Sequence, residues 1–335
     1  MTSESPPELI NLTYVLYDFE NLNNLSNIYQ LCFGHRPNQS YFKWKYLNNP
    51  AGKAIAFLAL DGGIVAGFYC VIPEFYIING KKEIIYQSVD TMTHPGYRRL
   101  GIFTTLAHMT YDYVRQKEGR LHLIGFPGKM SYSGFVDTLK WDPVIHLDYV
   151  FTYKFLFRLF SFVRNPGMDV EEIETFGEEF DEYFAKREKS IKPISRYIDR
   201  SIANWRIIEH PDNKYRLAKV MKNEELIGYF VYRLDKKQRA FVINIDVVKP
   251  EYVLIGLRGV CRYLFLKEDI KSIYTFQSGS RFEEAYRKSG FLVNPTSRGP
   301  FSYKTPFIVY GDKEIEGINW FNRGNFDIQP IVRDY

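Results

Sequence analysis

The stretch Thr93 to Leu106, THPGYRRLGIFTTL, sets a turn, two arginines and a glycine directly before an apolar helical pattern. A run of β-formers containing Ile84, Ile85, Tyr86 and Val89 ends at Asp90-Thr91-Met92-Thr93. A turn with Pro95 and Gly96 follows, then Arg98, Arg99, Leu100 and Gly101, then an apolar helical pattern with Ile102, Phe103, Leu106 and Met109. A basic, glycine-containing loop that feeds a helix N-terminus points free N–H groups and a positive dipole end at one place. Two guanidiniums beside it make an anion site. The plainer alternative is an ordinary strand–turn–helix corner with two surface arginines.

The elements that must hold this loop occur twice. Tyr41 to Ile72 has a counterpart in Ser201 to Leu234, with Trp44, Pro50 and Gly67 recurring as Trp205, Pro211 and Gly228 at one constant offset. Val89 to Leu106 faces Ile245 to Cys261, with Pro95, Tyr97 and Gly101 recurring as Pro250, Tyr252 and Gly256. Near the end of each copy, LKWDP (139–143) matches SGFLVNP (289–295). Three collinear blocks anchored by Trp, Pro or Gly predict a duplication. The Asn165-Pro166-Gly167 turn signal sets the domains at 1–164 and 165–335.

In copy one the patterning predicts a strand over 11–17, a helix over 22–32, and strands over 54–60, 64–73 and 75–90. A helix over 101–117, a strand over 121–126, a short helix over 131–140 and a last strand over 146–153 follow. Antiparallel strands that give way to strand–helix–strand imply an α/β fold, an α+β mixed sheet with one parallel step in each of two tandem domains. The run VFTYKFLFRLFSFV (150–163) reads as the last strand plus an interdomain helix, with docking on a membrane surface as the alternative. Trp44 and Trp205 recur alike and read as core.

With Arg98, Arg99, Leu100, Gly101 and Ile102 placed after an antiparallel meander and before helix, strand and Leu139-Lys140-Trp141, the chain resembles the GNAT superfamily of acyl-CoA N-acyltransferases. The resemblance implies acetyl-CoA or another acyl-CoA as cosubstrate. Its pyrophosphate would lie on the loop, with Val89, Met92, Thr93, Arg98, Arg99, Leu100, Gly101, Ile102, Phe103 and Thr104 around it. Phe103 stands where the family usually has Gly or Ala, so its ring must turn into the core. DTMTHPGYRRLGIF and FKWKYLNNPAG resemble a subgroup tied to bacterial cell-surface polysaccharide synthesis, which implies a small polar amine as acceptor, such as an amino sugar or its nucleotide-linked form. In copy two, Val253, Leu254 and Ile255 replace the arginine-bearing stretch; an apolar loop cannot offset the cost of burying phosphate charge.

Acyl transfer to an amine needs a base for the amine proton and an acid near the leaving thiolate. Family members often use a carboxylate on the strand before the loop. Asp90 stands there, either as that base or as a structural carboxylate capping loop N–H groups. His94 is a second candidate base, or an exposed loop histidine. The family's AYxKxGF signature survives in copy two as Ala285 to Phe291, with Tyr286. Copy one reads FVDTLKW, with Val136 at the tyrosine position, which leaves Tyr132 as its candidate acid.

Bulk properties narrow the classes. A length of 335 residues suits two domains, and 45% hydrophobic with 17% aromatic content suits packed cores and aromatic-lined clefts. Cys32, Cys70 and Cys261 have neither disulfide-framework nor zinc spacing, so no metal is expected and a cytoplasmic protein is. A net charge of +5 implies no nucleic-acid partner and argues against a tRNA-dependent transferase. No window reaches the roughly 18 apolar residues of a membrane span, and the N-terminus lacks a signal peptide pattern. A non-catalytic binding or scaffold protein is the alternative from another class. Nothing in the sequence fixes an oligomeric state.

Overall fold

The computed structural model describes residues 11–160, 167–187, 192–212, 215–268, 270–277, 282–294 and 304–328. The Asn165-Pro166 half of the boundary turn, the end of the 150–163 run, Pro295 and the first ten residues lie outside them.

Copy one opens with β1 (Leu12–Leu16), α1 (Asn23–Phe33) and α2 (Gln39–Phe42), which runs into a π-helical turn, Lys43–Leu47. The meander β2 (Ile55–Asp61), β3 (Ile64–Ile78) and β4 (Lys81–Thr93) follows. Strict alternation divides its side chains between two faces. Phe57, Ala59, Tyr69 and Val71 pack under α3 (Ile102–Glu118), and Ala56, Leu58, Phe68 and Cys70 pack under α1 and the π turn. Gly67 lets α3 approach β3 closely, since a Cβ there would lie 2.4 Å from the Ile102 side chain. β5 (His122–Gly125) pairs parallel with β4, the expected parallel step.

Strand boundaries differ from the sequence reading at two places, and at one of them the last strand of copy one, expected over 146–153, starts already at Asp142. The strand expected to end at Pro73 runs on to Ile78, and the hairpin turns at Asn79-Gly80, where φ is 49° and 83°. Pro73 is tolerated because the β2 ladder ends at Val71, so no bond on that side is lost. Asn-Gly with both residues at positive φ is the preferred two-residue hairpin turn.

Copy two repeats the order with α5 (Glu179–Lys186), α6 (Arg200–Ala203), a second π turn (Asn204–Ile208) and the strands β9 (Arg216–Lys222), β10 (Glu225–Leu234) and β11 (Arg239–Val247). β7 (Met168–Ile173) edges its sheet, while β8 (Ile194–Arg196) crosses to pair with β3. α7 (Val253–Lys267), β12 (Ser272–Gln277), α8 (Glu283–Lys288), β13 (Leu292–Val293) and β14 (Thr305–Gly311) follow, and after them come three two-residue strands, Glu314–Ile315, Ile318–Asn319 and Phe326–Asp327. The repeat extends to detail. Asn38 and Asp199 cap α2 and α6 through their side chains, and each short helix continues into its π turn.

The two sheets are one. With β6 spanning Asp142–Tyr153, the order is β1-β2-β3-β4-β5-β14-β6-β12-β11-β10-β9-β7. The first half of β6, up to Leu147, pairs with β14, and its second half, from Asp148, pairs with β12. Thus β14, from the far end of the chain, fills the gap between β5 and β6, and β6 reaches into the sheet of copy two. α4 (Lys154–Phe160) follows β6. Tyr76, Ile124, Ile145, Phe307 and Trp320 form a core at this joint.

Candidate active site

The β4–β5 ladder covers Tyr86 to Ser88 against Leu123 to Gly125 and ends there. Beyond it the strands part, and a groove of about 780 Å³ opens between Gln87–Thr93 on one side and Gly125–Ser131 on the other. Tyr29, Cys32 and Phe33 of α1, Arg98 and Phe135 complete its walls.

A local irregularity in β4 shapes this gap. Register shifts between Phe68 and Cys70 because Asp90 and Thr91 together oppose one residue of β3, and Asp90 adopts φ 48°. This is a β-bulge, which twists and redirects a strand. In copy two the irregularity comes elsewhere, between Val231 and Tyr232, and Tyr229, Phe230 and Val231 pair without interruption with Asp246, Ile245 and Asn244. Asp246, which sequence comparison sets beside Asp90, therefore sits at the register of Met92.

Asp90 caps no loop N–H. Its Oδ2 accepts from the Tyr46 hydroxyl at 2.6 Å and pairs with Lys45 Nζ at 2.7 Å. Both partners sit on the π turn, and the Lys45 side chain is 1% exposed. A buried ammonium requires such an anion. Both contacts fall on one oxygen, so Oδ1 remains as an acceptor. Burial, and after it the Asp90 charge, push the Tyr46 and Tyr29 hydroxyls well above the ordinary tyrosine range, so both stay protonated.

A second cavity, about 440 Å³, lies on the other side of Asp90. Tyr29 and Asp90 line both spaces; His35, Arg36, Asn38 and Tyr41 come from copy one, and His210 and Asp212 from copy two. His210 lies against the Trp44 ring at 4.2 Å, and its Nδ1 accepts from the Asp212 N–H at 3.2 Å.

The loop after β4 leads directly into α3. Arg98 is extended, Arg99 (φ 67°) and Gly101 (φ 75°) turn the chain, and Gly101 precedes the first turn of α3, whose leading N–H groups have no intrahelical acceptor. Arg98 lines the groove with Val89, Met92 and Thr93, whereas Arg99, Leu100, Phe103 and Thr104 do not. Ile102 is buried, and the Phe103 ring turns inward against Phe135 at 5.3 Å. Copy two departs at this point: α7 is already helical at Val253, so the residues matching the arginine loop form the helix's first turn.

The other candidates lie off the groove. His94 Nδ1 accepts from the Gly96 N–H at 3.1 Å, which commits that nitrogen to the turn. Tyr132 is flanked by the groove residues Ser131 and Phe135, but its own ring lies 6.4 Å from His146. Tyr286 in copy two is buried against Phe291. Sequence reasoning passed over Tyr29, Lys45, Tyr46, His210 and Asp212. One signal was available: Lys45 follows Trp44 and lies one turn from Tyr41, a cation within an aromatic stripe that must find a carboxylate.

Residues 17–137 match the family model described as Acetyltransferase (GNAT) domain. Over this stretch the chain is similar to that family. It contains the groove, the bulge, the arginine loop and the π turn, and none of copy two. No curated protein matches the sequence. Among solved structures, a probable N-acyltransferase from Enterococcus faecalis V583 superposes with TM-score 0.67 at 10% identity, covering 90% of this chain and 72% of its own. A tandem GNAT protein from the clavulanic acid biosynthesis pathway gives 0.59 at 13% identity, covering 90% and 98%. Saccharomyces cerevisiae N-myristoyltransferase with bound myristoyl-CoA gives 0.58 at 11% identity, covering 98% and 88%. The likeness is one of fold, a mixed α/β sheet with a tandem arrangement among the relatives. Among the described residues no cluster of three His, Cys, Asp or Glu is arranged to hold a metal ion.

Proposed function

We propose that this protein is a cytoplasmic acyl-CoA-dependent N-acyltransferase that uses the GNAT domain of copy one and takes a small polar amine as acceptor. The chain reads as a duplication whose units, 1–164 and 165–335, exchange their last strands. The observation that carries the proposal is that Asp90 and Tyr29 line both the groove and the side cavity. Transfer between two substrates needs two spaces that meet at the reacting groups.

Acyl-CoA, when bound, supplies an acyl group activated as its thioester. Arg98 and the leading N–H groups of α3 would hold its pyrophosphate. The bulge at Asp90-Thr91 opens the gap that the acyl end must enter. Asp90, through Oδ1, would accept the proton of the attacking amine, and the Tyr29 hydroxyl, kept protonated by burial, would donate toward the leaving sulfur. Tyr29 fills the role the sequence reading gave to Tyr132. His94 would serve the turn. His210, Asp212, Asn38 and Arg36 give the side cavity the mixed donors and acceptors that suit a hydroxyl-rich amine such as an amino sugar, free or nucleotide-linked.

The test is release of free thiol from acetyl-CoA in the presence of nucleotide-linked amino sugars, aminoglycosides, polyamines and a lysine-rich peptide. Turnover with the sugars is expected. Turnover confined to peptide or polyamine would overturn the acceptor class. No turnover with any amine and any acyl-CoA would favour the scaffold reading, which the valine at position 136 supports.

A further inference from the structure

We propose that the face built by α4 and the C-terminal half of α7 docks on an anionic lipid surface. Phe155 and Leu159, one turn apart on α4, are 62% and 59% exposed, and Leu266 at the end of α7 is 61% exposed. Phe157, between them, turns inward and is buried. The Tyr153 ring stacks on Phe155 at 5.9 Å, and half-exposed Phe160 extends the patch. Arg258 Nη2 donates to the Phe160 carbonyl at 3.2 Å and to that of Lys288 at 3.0 Å, which anchors the end of α4 to the rest of copy two. The tips are therefore held outward on a fixed platform. Soluble surfaces seldom leave so many large apolar side chains together without an occupant.

Between α4, β7 and α7 the same face holds a recess of about 380 Å³ floored by Phe157, Met168, Val170, Ile255 and Phe265. Its lining carries five cations, Lys154, Arg158, Arg258, Arg262 and Lys267, against one carboxylate, Asp169. Aromatic and leucine tips surrounded by Lys and Arg match the interface of a bilayer whose headgroups are anionic. The charge decides between occupants. A second copy on a twofold axis would bring the five cations against themselves. A neutral apolar partner would strip water from this positive lining and bring no counter-charge. An anionic bilayer takes the tips into its acyl boundary and the cations at its headgroups, and the recess has room for part of one acyl chain.

Sedimentation with phosphatidylcholine vesicles, with and without phosphatidylglycerol, tests this on the full chain. Binding is expected with phosphatidylglycerol, weakening as salt rises, and little with phosphatidylcholine alone. Phe155→Glu with Leu159→Glu should weaken it by about tenfold or more, since these exposed tips should enter the interface. Arg158→Gln with Arg262→Gln should weaken it several-fold and flatten the salt dependence; thermal melting checks that both variants stay folded. Absence of binding to phosphatidylglycerol vesicles, or unchanged binding by folded Phe155→Glu/Leu159→Glu protein, would overturn the proposal. So would a concentration-dependent dimer in analytical ultracentrifugation that the same pair dissolves, which would make the face a contact between copies.

Discussion

Trp44 and Trp205 lie face to face across the junction of the two copies, ring centroids 5.1 Å apart and planes 25° from parallel. Each indole N–H donates to the other residue's main-chain carbonyl, at 2.7 Å and 3.1 Å, across 161 residues of sequence. The reciprocity is that of a local twofold axis through the duplicated π turns. It places Lys45, next to Trp44, and His210, against the Trp44 ring, on either side of one seam. The side cavity beside Asp90 is built along that seam.

The Lys45–Asp90 pair makes a single substitution at Asp90 ambiguous, and a double variant resolves it. Asp90→Asn removes the carboxylate that faces the buried Lys45 ammonium and should cost about 3–5 kcal/mol. Lys45→Met with Asp90→Asn removes both charges and should recover much of that in thermal melts. If Asp90 is the base, turnover in the double variant stays roughly 10²-fold or more below the parent despite restored stability. Recovery of activity together with stability would make Asp90 structural.

The two loop arginines should not be equivalent. Arg98 lines the groove and Arg99 does not, because Arg99 spends its conformation on the turn at φ 67°. Arg98→Glu should weaken CoA binding by about 10- to 100-fold, the loss of one charge-assisted contact to phosphate, and Arg99→Glu by less. Calorimetry should give one CoA per chain, since the matching residues of copy two are helical. A stoichiometry near two, or binding indifferent to Arg98, would refute the assignment.

Gly311 ends the exchanged strand at φ 130°, and a Cβ there would sit 1.9 Å from the Leu121 carbonyl oxygen. Gly311→Ala should therefore cost about 3 kcal/mol or more, because backbone must move to admit it. β14 braces β5, with Ile308 opposite Gly125 at the groove wall. Limited proteolysis should accordingly cut the 304–328 region faster in the variant, and CoA binding should weaken with it.

His122 makes stability pH-dependent. Burial holds its pKa down at about 4, against the opposing pull of Asp312, while its Nε2 lies 3.1 Å from the Glu314 carbonyl. The folded value lies below the unfolded one, so the neutral ring stabilises the fold fully above pH 6.5. That contribution is lost progressively as pH falls toward 4, up to about 3 kcal/mol at 1.36 kcal/mol per unit. Melting temperature should fall across this window, and less steeply in His122→Gln. Equal slopes would remove His122 as the source.

The sequence by itself determined the local elements and their repetition. The apolar β-forming runs over 55–59 and 68–72, the apolar stripe of α3, and the pairing of Trp, Pro and Gly between copies are short-range properties, legible because they depend on neighbours a few positions away. Asn79-Gly80 was legible in the same way, and Pro73 drew the strand boundary off it because a proline is harmless where the neighbouring ladder has already ended. What only the tertiary structure decided are the contacts between distant segments. β14 entering between β5 and β6, Lys45 reaching Asp90, Asp90 standing on a bulge that Asp246 lacks, and Tyr29 meeting His210 around one cavity all join residues far apart in sequence. No periodicity encodes such pairs. They follow from which buried charge, unpaired strand edge or ring face remains to be satisfied once the local elements have packed.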